Sequence, residues 1–444
     1  MSSKEQKDLP SARWQSFDGW DYNGMKERLE DALEIINKVA LISHAEHVVG
    51  RKFGMSEPFS AGQYWICFEL VAEDGSLVIA RVRLPRHPEV SLTATDNDLE
   101  YAIECEIATM RYVRSKLPNV TIPRIYAYEP AGSPPQLGNM LLDMEYDMTR
   151  LPPSVQQQIM TQWTRVQAEL ATITLPQIGS ISSLSPTGEP IIGRIASAAA
   201  EGFWNSGPFN TSAEYFAAAG QAAVDRFNST GGSGSADGHW AAIGALVFCD
   251  IVAKADLFQD VGAQGSFPLN HIGSSTQHWP IRGQRRVGCL RRFNNMDLGT
   301  QNILVDDAFR FLATIDWEFA QTAPWQVNHY PMPFPPLCSQ RHTDAILADP
   351  GHLAHANVTR QEAARRMYQA AFRFAEEELR EQGRPTAASF AEVLDCTASR
   401  IYVCFTQLGR MPEADEELVQ RMARLAFGWD DAKIKSYITS VNLQ

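Results

Sequence analysis

The chain has 444 residues, of which 44% are hydrophobic and 20% are charged, and its formal net charge is −13 at pH 7. This composition is typical of a soluble globular protein, and the length suits two or three domains or one large two-lobed enzyme. An acidic surface argues against non-specific binding to nucleic acid or to an anionic membrane.

Targeting and redox signals in the sequence favour the cytoplasm. The opening stretch, MSSKEQKDLPSARWQSFDGWDYNG, is polar and has no apolar core of a secretory signal. Apolar runs such as AAIGALVF are much shorter than a membrane span. The seven cysteines form no Cys-x-x-Cys pair, and their scatter favours reduced thiols. We therefore expect a cytoplasmic protein without a nucleic-acid or membrane partner.

The first third of the chain predicts a small sheet with helices beside it. Residues 24–49 have apolar side chains at helical spacing, and residues 57–85 read as a β-hairpin around the turn EDGS. A second helix is predicted over 99–117, followed by strands over 122–130 (IPRIYAYEP) and 138–146 (GNMLLDMEY). The predicted order is therefore strand, strand, helix, strand, strand.

From about Pro152 onward the pattern is mainly helical. The stretch STGGSGSADG (229–238) predicts a flexible exposed loop. The strand signal returns once, at 291–320, where the apolar runs NILV and FLATI bracket the turn DDAFR. Three further helical segments are predicted over 360–382, 389–409 and 415–428.

Three polar side chains stand at the two ends of this second hairpin. Asp297 and Asn302 precede or open its first strand, and Asp316 closes its second. Because both ends of a hairpin lie together, the three side chains are expected to converge on one point. Taken singly, each residue could be an ordinary turn or capping residue, which is what an isolated Asp or Asn usually is.

Together these oxygens suit phosphoryl transfer from a metal-bound nucleotide. Magnesium prefers hard oxygen ligands and keeps several waters, so one Asp and one Asn suffice. A carboxylate that does not bind the metal can orient the acceptor hydroxyl and take its proton, since the transition state is loose and positioning dominates. We assign Asp297 as the base, and Asn302 and Asp316 as metal ligands.

The D-x-x-x-x-N motif followed by a hairpin and Ile-Asp-Trp resembles the aminoglycoside phosphotransferase family, within the protein-kinase-like fold. The phrase MDLGTQNILVDDAFRFLATIDWEFAQTAPW is similar to that of many fungal members of undefined substrate. The resemblance extends from about Phe53 to the C-terminal helices. It implies an α+β, two-lobed fold with a small antiparallel-sheet N-lobe and a mainly helical C-lobe, with ATP and Mg²⁺ as cofactors.

The resemblance also implies roles for residues outside the hairpin. Ser60 and Gly62, in FSAGQY, stand where the phosphate-covering loop should be, and Arg81 stands where the family usually has a phosphate-binding Lys. Glu106 matches the helix Glu that pairs with that cation. LLDMEYD matches the hinge, so backbone groups near Glu145 and Tyr146 are expected to meet adenine.

Two departures from the family pattern bear on turnover. Asn295 stands where a His usually precedes the catalytic Asp. Arg81 replaces the usual Lys, and a guanidinium is larger than an ammonium and not interchangeable with it. Arg83 is on the same strand face as Arg81, so the sequence separates the two poorly. Arg81 and Glu106 could also form an ordinary surface ion pair.

The expected domains are a helical N-terminal extension (1–50), a nucleotide-binding N-lobe (51–145) and a helical C-lobe (146–444) with the catalytic hairpin at 293–320. The expected function is ATP- and magnesium-dependent O-phosphorylation of a small hydroxylated molecule. The alternative is a nucleotide-binding or scaffolding pseudokinase without turnover. A protein kinase is the third reading, and the missing Ala-Pro-Glu-type anchor after IDWEFA disfavours it.

Overall fold

A computed structural model describes residues 25–61, 65–84, 95–127, 151–196, 206–229, 238–261, 266–270, 303–305, 308–317, 320–328, 340–409 and 412–441. Over these ranges the chain is α+β, with a small antiparallel sheet near the N-terminus and a mainly helical remainder, as the sequence predicts. The strand predicted over 138–146 and almost all of the loop predicted over 229–238 lie outside the described residues.

Two helices precede the sheet where the sequence predicts one. They are α1 (Met25–Ile35) and α2 (Lys38–Val49). Asn37 separates them, because its side chain accepts a hydrogen bond from the Ala40 backbone N–H at 3.0 Å and so caps the second helix. A polar residue at this position offers the backbone an alternative to helical bonding. The expected single helix is therefore wrong at its centre.

The sheet has three antiparallel strands in the order β1 (Phe53–Ala61), β2 (Trp65–Ala72) and β3 (Leu77–Arg83). The predicted hairpin is confirmed as β2 and β3. Its turn is closed by Gly75 at φ 78°, in the left-handed region that favours glycine. The sequence pattern did not separate β1 from β2, and the expected two strands are three.

One face of the sheet is covered by the N-terminal helices. Phe68 and Leu70 of β2 pack there against Leu29 and Ala32 of α1, and all four are buried. Burial of each large apolar side chain contributes roughly 2 kcal/mol. Because strand residues alternate between faces, β2 and β3 turn their other residues to the opposite face.

A 21-residue helix, α3 (Asp96–Lys116), follows the sheet and agrees with the prediction. Thr95 and Asp98 form a capping box at its start. The strand expected after it is wrong over residues 122–127, which are irregular. Pro123 has no backbone N–H for a strand ladder. Separate bonds hold this segment instead, including one of 2.6 Å from the Arg114 guanidinium to the Ile122 carbonyl.

The rest of the described chain, here called the helical lobe, contains both helices and short strands. Its strands were mostly missed by the sequence pattern, which predicted only the hairpin of β8 and β9. In chain order the elements are α4 (Pro153–Ala171), β4 (Thr174–Leu175), β5 (Ser180–Leu184), β6 (Pro190–Gly193), α5 (Ser212–Ser229), α6 (His239–Lys254), β7 (Phe267–Asn270), β8 (Ile303–Val305), β9 (Phe311–Thr314), β10 (Gln321–Thr322), α7 (Gln340–Ala348), α8 (His355–Glu381), α9 (Phe390–Val393), α10 (Thr397–Gln407), α11 (Pro412–Phe427) and α12 (Asp431–Val441).

Two apolar cores hold the helical lobe together. One is built around Phe216, Phe248 and Ile401 and joins α5, α6, α10, α11 and α12. The other is built around Trp163 and Phe372 and joins α4, α8 and α9. Within the described ranges, no helix combines the length and hydropathy required to cross a membrane.

The predicted hairpin of β8 and β9 is present, with Ile303 opposite Thr314. A backbone bond of 2.9 Å from the Thr314 N–H to the Thr121 carbonyl joins it to the segment after α3. The end of β9 therefore lies beside α3, and this brings Asp316 toward the sheet.

A buried carboxylate in α11 gives a stability prediction. Asp415 is 0% exposed, and burial raises its pKa to about 6. The hydrogen bond that its carboxylate accepts from the Gly409 N–H, at 3.0 Å, lowers the pKa and partly opposes this rise. The folded protein therefore binds a proton more tightly than the unfolded chain, so this group makes stability fall as pH rises from about 4 to about 6.

We expect Asp415→Asn, which keeps an acceptor oxygen but no charge, to raise the free energy of unfolding by about 2 kcal/mol at pH 7.5 and by much less at pH 4. Urea unfolding at both pH values measures this. Glu417→Gln, an exposed position in the same helix, is the control and should show no such pH-dependent gain. A gain for Asp415→Asn that is equal at the two pH values would contradict the titration.

Candidate active site

The face of the sheet opposite α1 and α2 carries the candidate site. Cys67 pairs with Ser60 on one side and with Arg81 on the other, so these three residues form one row across the strands. Directly opposed residues in an antiparallel sheet share a face. Trp65 and Arg83 form the next row on the same face. The sequence candidates Ser60 and Arg81 therefore lie on one surface, and Ser60 is half-buried.

Arg81 joins two of the other predicted residues. Its Nη1 donates to Glu106 Oε1 at 2.9 Å, and its Nη2 donates to Asp316 Oδ1 at 3.0 Å. The side chains of Arg81 and Glu106 are 13% and 6% exposed, and that of Asp316 is 30% exposed. The pair with Glu106 is therefore a largely buried contact and not an ordinary surface ion pair.

Glu106 fixes the backbone next to Asp316 as well. Its Oε1 also accepts a hydrogen bond of 3.3 Å from the Trp317 N–H. Trp317 is fully buried, and its indole donates to the Thr314 carbonyl at 3.0 Å. The residue that follows Asp316 is thus held from two directions.

Asp316 has an unusual backbone conformation, with φ 61°. The left-handed region costs a residue with a side chain about 1 kcal/mol, although Asp and Asn tolerate it better than most. The bonds to Trp317 and to Arg81 hold Asp316 there. The strain is therefore balanced by contacts that aim the carboxylate at the guanidinium.

The group formed by Arg81, Glu106 and Asp316 has one positive and two negative charges. Polyphosphate would be repelled by the excess negative charge unless a further cation were present, because Coulomb energies are large where water is excluded. A carboxylate that is 30% exposed at the end of a hairpin suits a hard divalent cation. The chemistry of the group fits a metal-bound phosphate.

Cys67 lies close enough to Arg81 and Asp316 for their charges to act on it. Burial raises the pKa of the Cys67 thiol to about 11, Arg81 opposes this rise, and Asp316 adds to it. The thiol therefore stays protonated at neutral pH and forms a small apolar wall of the site. A protonated thiol is a poor nucleophile.

Trp65 is a part of the site that the sequence reading missed. The guanidinium groups of Arg81 and Arg83 lie 4.1 Å and 5.0 Å from its ring centroid. Ile103 and Ile107 of α3 pack against the same ring. The aromatic residue two positions before Cys67 was the available signal, since it must share the face of Arg81. The structure thus gives Arg81 the pair with Glu106 and gives Arg83 a contact with Trp65.

The remaining candidates lie outside the described residues: Gly62, Glu145, Tyr146, Asp297, Asn302 and also Asn295. Of the three hairpin side chains, only Asp316 is described. Within the described part of the chain, no group of three or more His, Cys, Asp or Glu side chains is placed to hold a metal ion. The convergence of Asp297 and Asn302 on Asp316 remains a prediction.

Comparison with known proteins gives structural similarities only. No protein-family model matches the chain, and no curated protein matches it. The chain is similar to a solved protein of Thermobifida fusca named as a fructosamine-3-kinase, with 12% identity, coverage of 88% of this chain and 99% of that one, and a TM-score of 0.40.

Two further solved structures are similar to the chain. A macrolide 2'-phosphotransferase from Brachybacterium faecium has 15% identity, coverage of 90% and 97%, and a TM-score of 0.37. An ADP-bound aminoglycoside phosphotransferase has 9% identity, coverage of 88% and 99%, and a TM-score of 0.41. These proteins are named as kinases or phosphotransferases, the kind that the sequence resembles. At such identities and TM-scores, substrate and activity have to be argued from the chain's own residues.

The shared guanidinium gives a second stability prediction. We expect Arg81→Ala to lower the free energy of unfolding by about 3 kcal/mol, because it leaves two neighbouring carboxylates without their cation. Arg83→Ala is the matched control, since it removes the same side chain from the same strand face and keeps both bonds of Arg81. Its loss should be clearly smaller in urea unfolding.

A double variant separates charge from packing. In Arg81→Ala with Glu106→Gln, one of the two uncompensated charges is gone, so part of the lost stability should return. If the double variant is less stable than Arg81→Ala alone, the charge explanation is wrong.

Proposed function

We propose that this protein is an ATP- and magnesium-dependent phosphotransferase that acts on a small hydroxylated molecule. The observation that carries the proposal is the Arg81 guanidinium held between Glu106 and Asp316. A cation fixed by a helix carboxylate, next to an aspartate at the end of a hairpin, is what a nucleotide phosphate bound with a metal requires.

The proposed nucleotide contacts start from the face of the sheet that carries Arg81 and Ser60. Arg81 binds the phosphates, and Glu106 keeps its guanidinium in place. The Ser60 hydroxyl, on the adjoining strand β1, is proposed to donate to a phosphate oxygen, and the backbone N–H of Gly62 is proposed to do the same. Backbone groups near Glu145 and Tyr146 bind adenine.

Asn302 and Asp316 are the proposed ligands of Mg²⁺, which would neutralise charge on the phosphates and hold them in line. Asp316 Oδ1 accepts a hydrogen bond from Arg81. When Arg81 turns to a phosphate, Asp316 loses that bond, and its carboxylate becomes available to a cation. The exchange keeps each charge compensated.

Asp297 is the proposed base. It accepts a hydrogen bond from the acceptor hydroxyl and takes its proton as the new oxygen–phosphorus bond forms. The bond between the transferred phosphorus and the bridging oxygen breaks at the same time, and ADP leaves with that electron pair. Asn295 would support this loop through amide hydrogen bonds in place of the more usual His.

The proposed division of the chain is a helical N-terminal part (1–50), a nucleotide-binding lobe (51–145) and a helical lobe (146–444) with the catalytic hairpin at 293–320. Since α1 and α2 pack on the sheet, the N-terminal part supports the nucleotide-binding lobe directly. The proposed location is the cytoplasm, and the five described cysteines, which form no disulfide, are compatible with it.

One observation favours the alternative of a nucleotide-binding protein without turnover. The guanidinium of Arg81 is bonded to the carboxylate that a metal would need, through a planar set of donors that an ammonium does not have. If Arg81 never releases Asp316, the metal cannot bind there. A test must therefore separate metal binding from chemistry.

We predict that Asp316→Asn weakens binding of a non-hydrolysable ATP analogue at least about tenfold in the presence of Mg²⁺. In EDTA its affinity should equal or exceed that of the wild type, because Arg81 is released to the phosphates. Calorimetric titration under both conditions measures this. Equal affinities of variant and wild type with Mg²⁺ would remove Asp316 as a metal ligand.

Asp297→Ala tests turnover. Its nucleotide affinity should stay near that of the wild type, since the carboxylate meets the acceptor hydroxyl, while phosphoryl transfer should fall by about 10²–10⁴. A coupled ADP-release screen over hydroxylated amines, sugars, choline-like alcohols and antibiotics supplies the substrate. Slow ATP hydrolysis serves if none is found. Wild-type protein that binds MgATP but transfers no more than Asp297→Ala would support the alternative without turnover.

A further inference from the structure

The outer face of α3 is covered by a hairpin of the helical lobe. This hairpin consists of β5 and β6, and the residue after it, Arg194, lies against the first turns of α3. The inner face of the same helix carries Glu106 and the isoleucines that pack on Trp65. The helix is therefore held between the sheet and a part of the chain that no site residue belongs to.

Arg194 makes three contacts with the start of α3. Its Nη1 donates to Asp98 Oδ1 at 3.0 Å, with side chains that are 31% and 11% exposed. Its guanidinium lies 4.2 Å from the centroid of the Tyr101 ring, and its carbonyl accepts a bond of 3.1 Å from the Tyr101 hydroxyl. One residue thus binds two successive turns of the helix by charge, stacking and backbone.

The two elements touch closely at this point. A Cβ atom on Gly193 would lie 2.3 Å from the Tyr101 hydroxyl oxygen, so the hairpin backbone passes very close to that hydroxyl. Ala102 and Cys105 are buried beside Ala196, just after the hairpin. The contact is therefore well packed and not a loose surface pair.

The opposite end of α3 is anchored separately. Tyr112, Val113 and Leu117 belong to an apolar cluster that includes Ile181 of β5 and Trp317. With 3.6 residues per turn, Glu106 is about 140° around the helix from Tyr101 and about 7.5 Å along its axis. Contacts on the Tyr101 side therefore restrain the same stretch of helix that carries Glu106.

We propose that Arg194 is a positioning residue for nucleotide binding: it holds the first turns of α3 so that Glu106 stays bonded to Arg81 and to the Trp317 N–H. This role rests on the proposed function, in which Arg81 binds the phosphates. In this role, the β5–β6 hairpin contributes to the site through Arg194, which follows Glu106 by 88 residues in the sequence.

The test compares Arg194→Ala with Lys116→Ala. Lys116 is bonded to Glu189 at 3.4 Å across the same helix and hairpin, but this pair is exposed and lies at the far end of α3. Both variants lose one positive charge. We expect Arg194→Ala to weaken binding of the ATP analogue with Mg²⁺ about tenfold and Lys116→Ala to leave it unchanged.

A second readout does not depend on nucleotide. Cys105 is 2% exposed beneath the contact, so its alkylation rate, followed by peptide mass spectrometry, reports opening of the hairpin from the helix. Arg194→Ala should speed this labelling several-fold, and Lys116→Ala should not. Arg194→Lys keeps the charge but not the planar stacking, and we expect smaller effects in the same direction. It carries the comparison if Arg194→Ala does not fold.

The Glu106→Gln background shows whether Arg194 acts through Glu106. There, Arg194→Ala should cause little further loss of affinity, because the bond it protects is already weakened. If the two losses of affinity are fully additive, or if Arg194→Ala and Lys116→Ala have equal affinities, the positioning role is wrong.

If the wild-type protein binds no nucleotide, the proposed function and this role are both wrong. If the wild type binds nucleotide and Arg194→Ala binds it equally well, this role alone is wrong.

Discussion

The candidate site depends on one guanidinium shared by two carboxylates. Arg81 is 25 residues from Glu106 and 235 residues from Asp316 along the chain, so its two bonds connect the sheet, α3 and the end of β9. A lysine would connect these elements differently, because an ammonium is a compact charge with rotating donors, whereas a guanidinium presents its donors in a fixed plane. The departure from the family pattern at Arg81 is thus compatible with an ordered site.

The same interaction also explains why Asp316 can keep a left-handed backbone. Its neighbour Trp317 is buried and bonded to Glu106, and its own carboxylate is bonded to Arg81. Strained residues persist where the surroundings determine their conformation from several sides. The same contacts therefore compensate the charge of Asp316 and hold its strained backbone.

Local sequence signals predicted the elements whose contacts are local, namely the two hairpins and the long helix α3. The turn EDGS and the turn DDAFR each lie between apolar runs, and both hairpins are present. The helix α3 was predicted from its long periodic pattern and agrees closely. The pairing of Arg81 with Glu106 was implied by the family resemblance, with the order of these elements in its support, and the two residues are in contact.

Other features depended on partners distant in sequence and were not predicted. The β5–β6 hairpin has only short strands, and the turn at Gly188 was the available signal, with φ 81°. The segment 122–127 has apolar residues at strand-like spacing but is held by the Arg114 guanidinium and by burial of Val120 and Ile122 against the helical lobe. Spacing alone does not distinguish burial in a ladder from burial without one.

The position of α3 links these observations. Its inner face contributes Glu106 to the site, its outer face is bonded to Arg194, and its last turns share an apolar cluster with the helical lobe. By its packing, the helix belongs to the helical lobe more than to the sheet that precedes it in sequence. If the sheet moves over a bound nucleotide, α3 should stay with the helical lobe. The Arg81–Glu106 bond therefore joins the sheet to a helix packed on the helical lobe, and under the proposed function this guanidinium would couple the position of the sheet to phosphate binding.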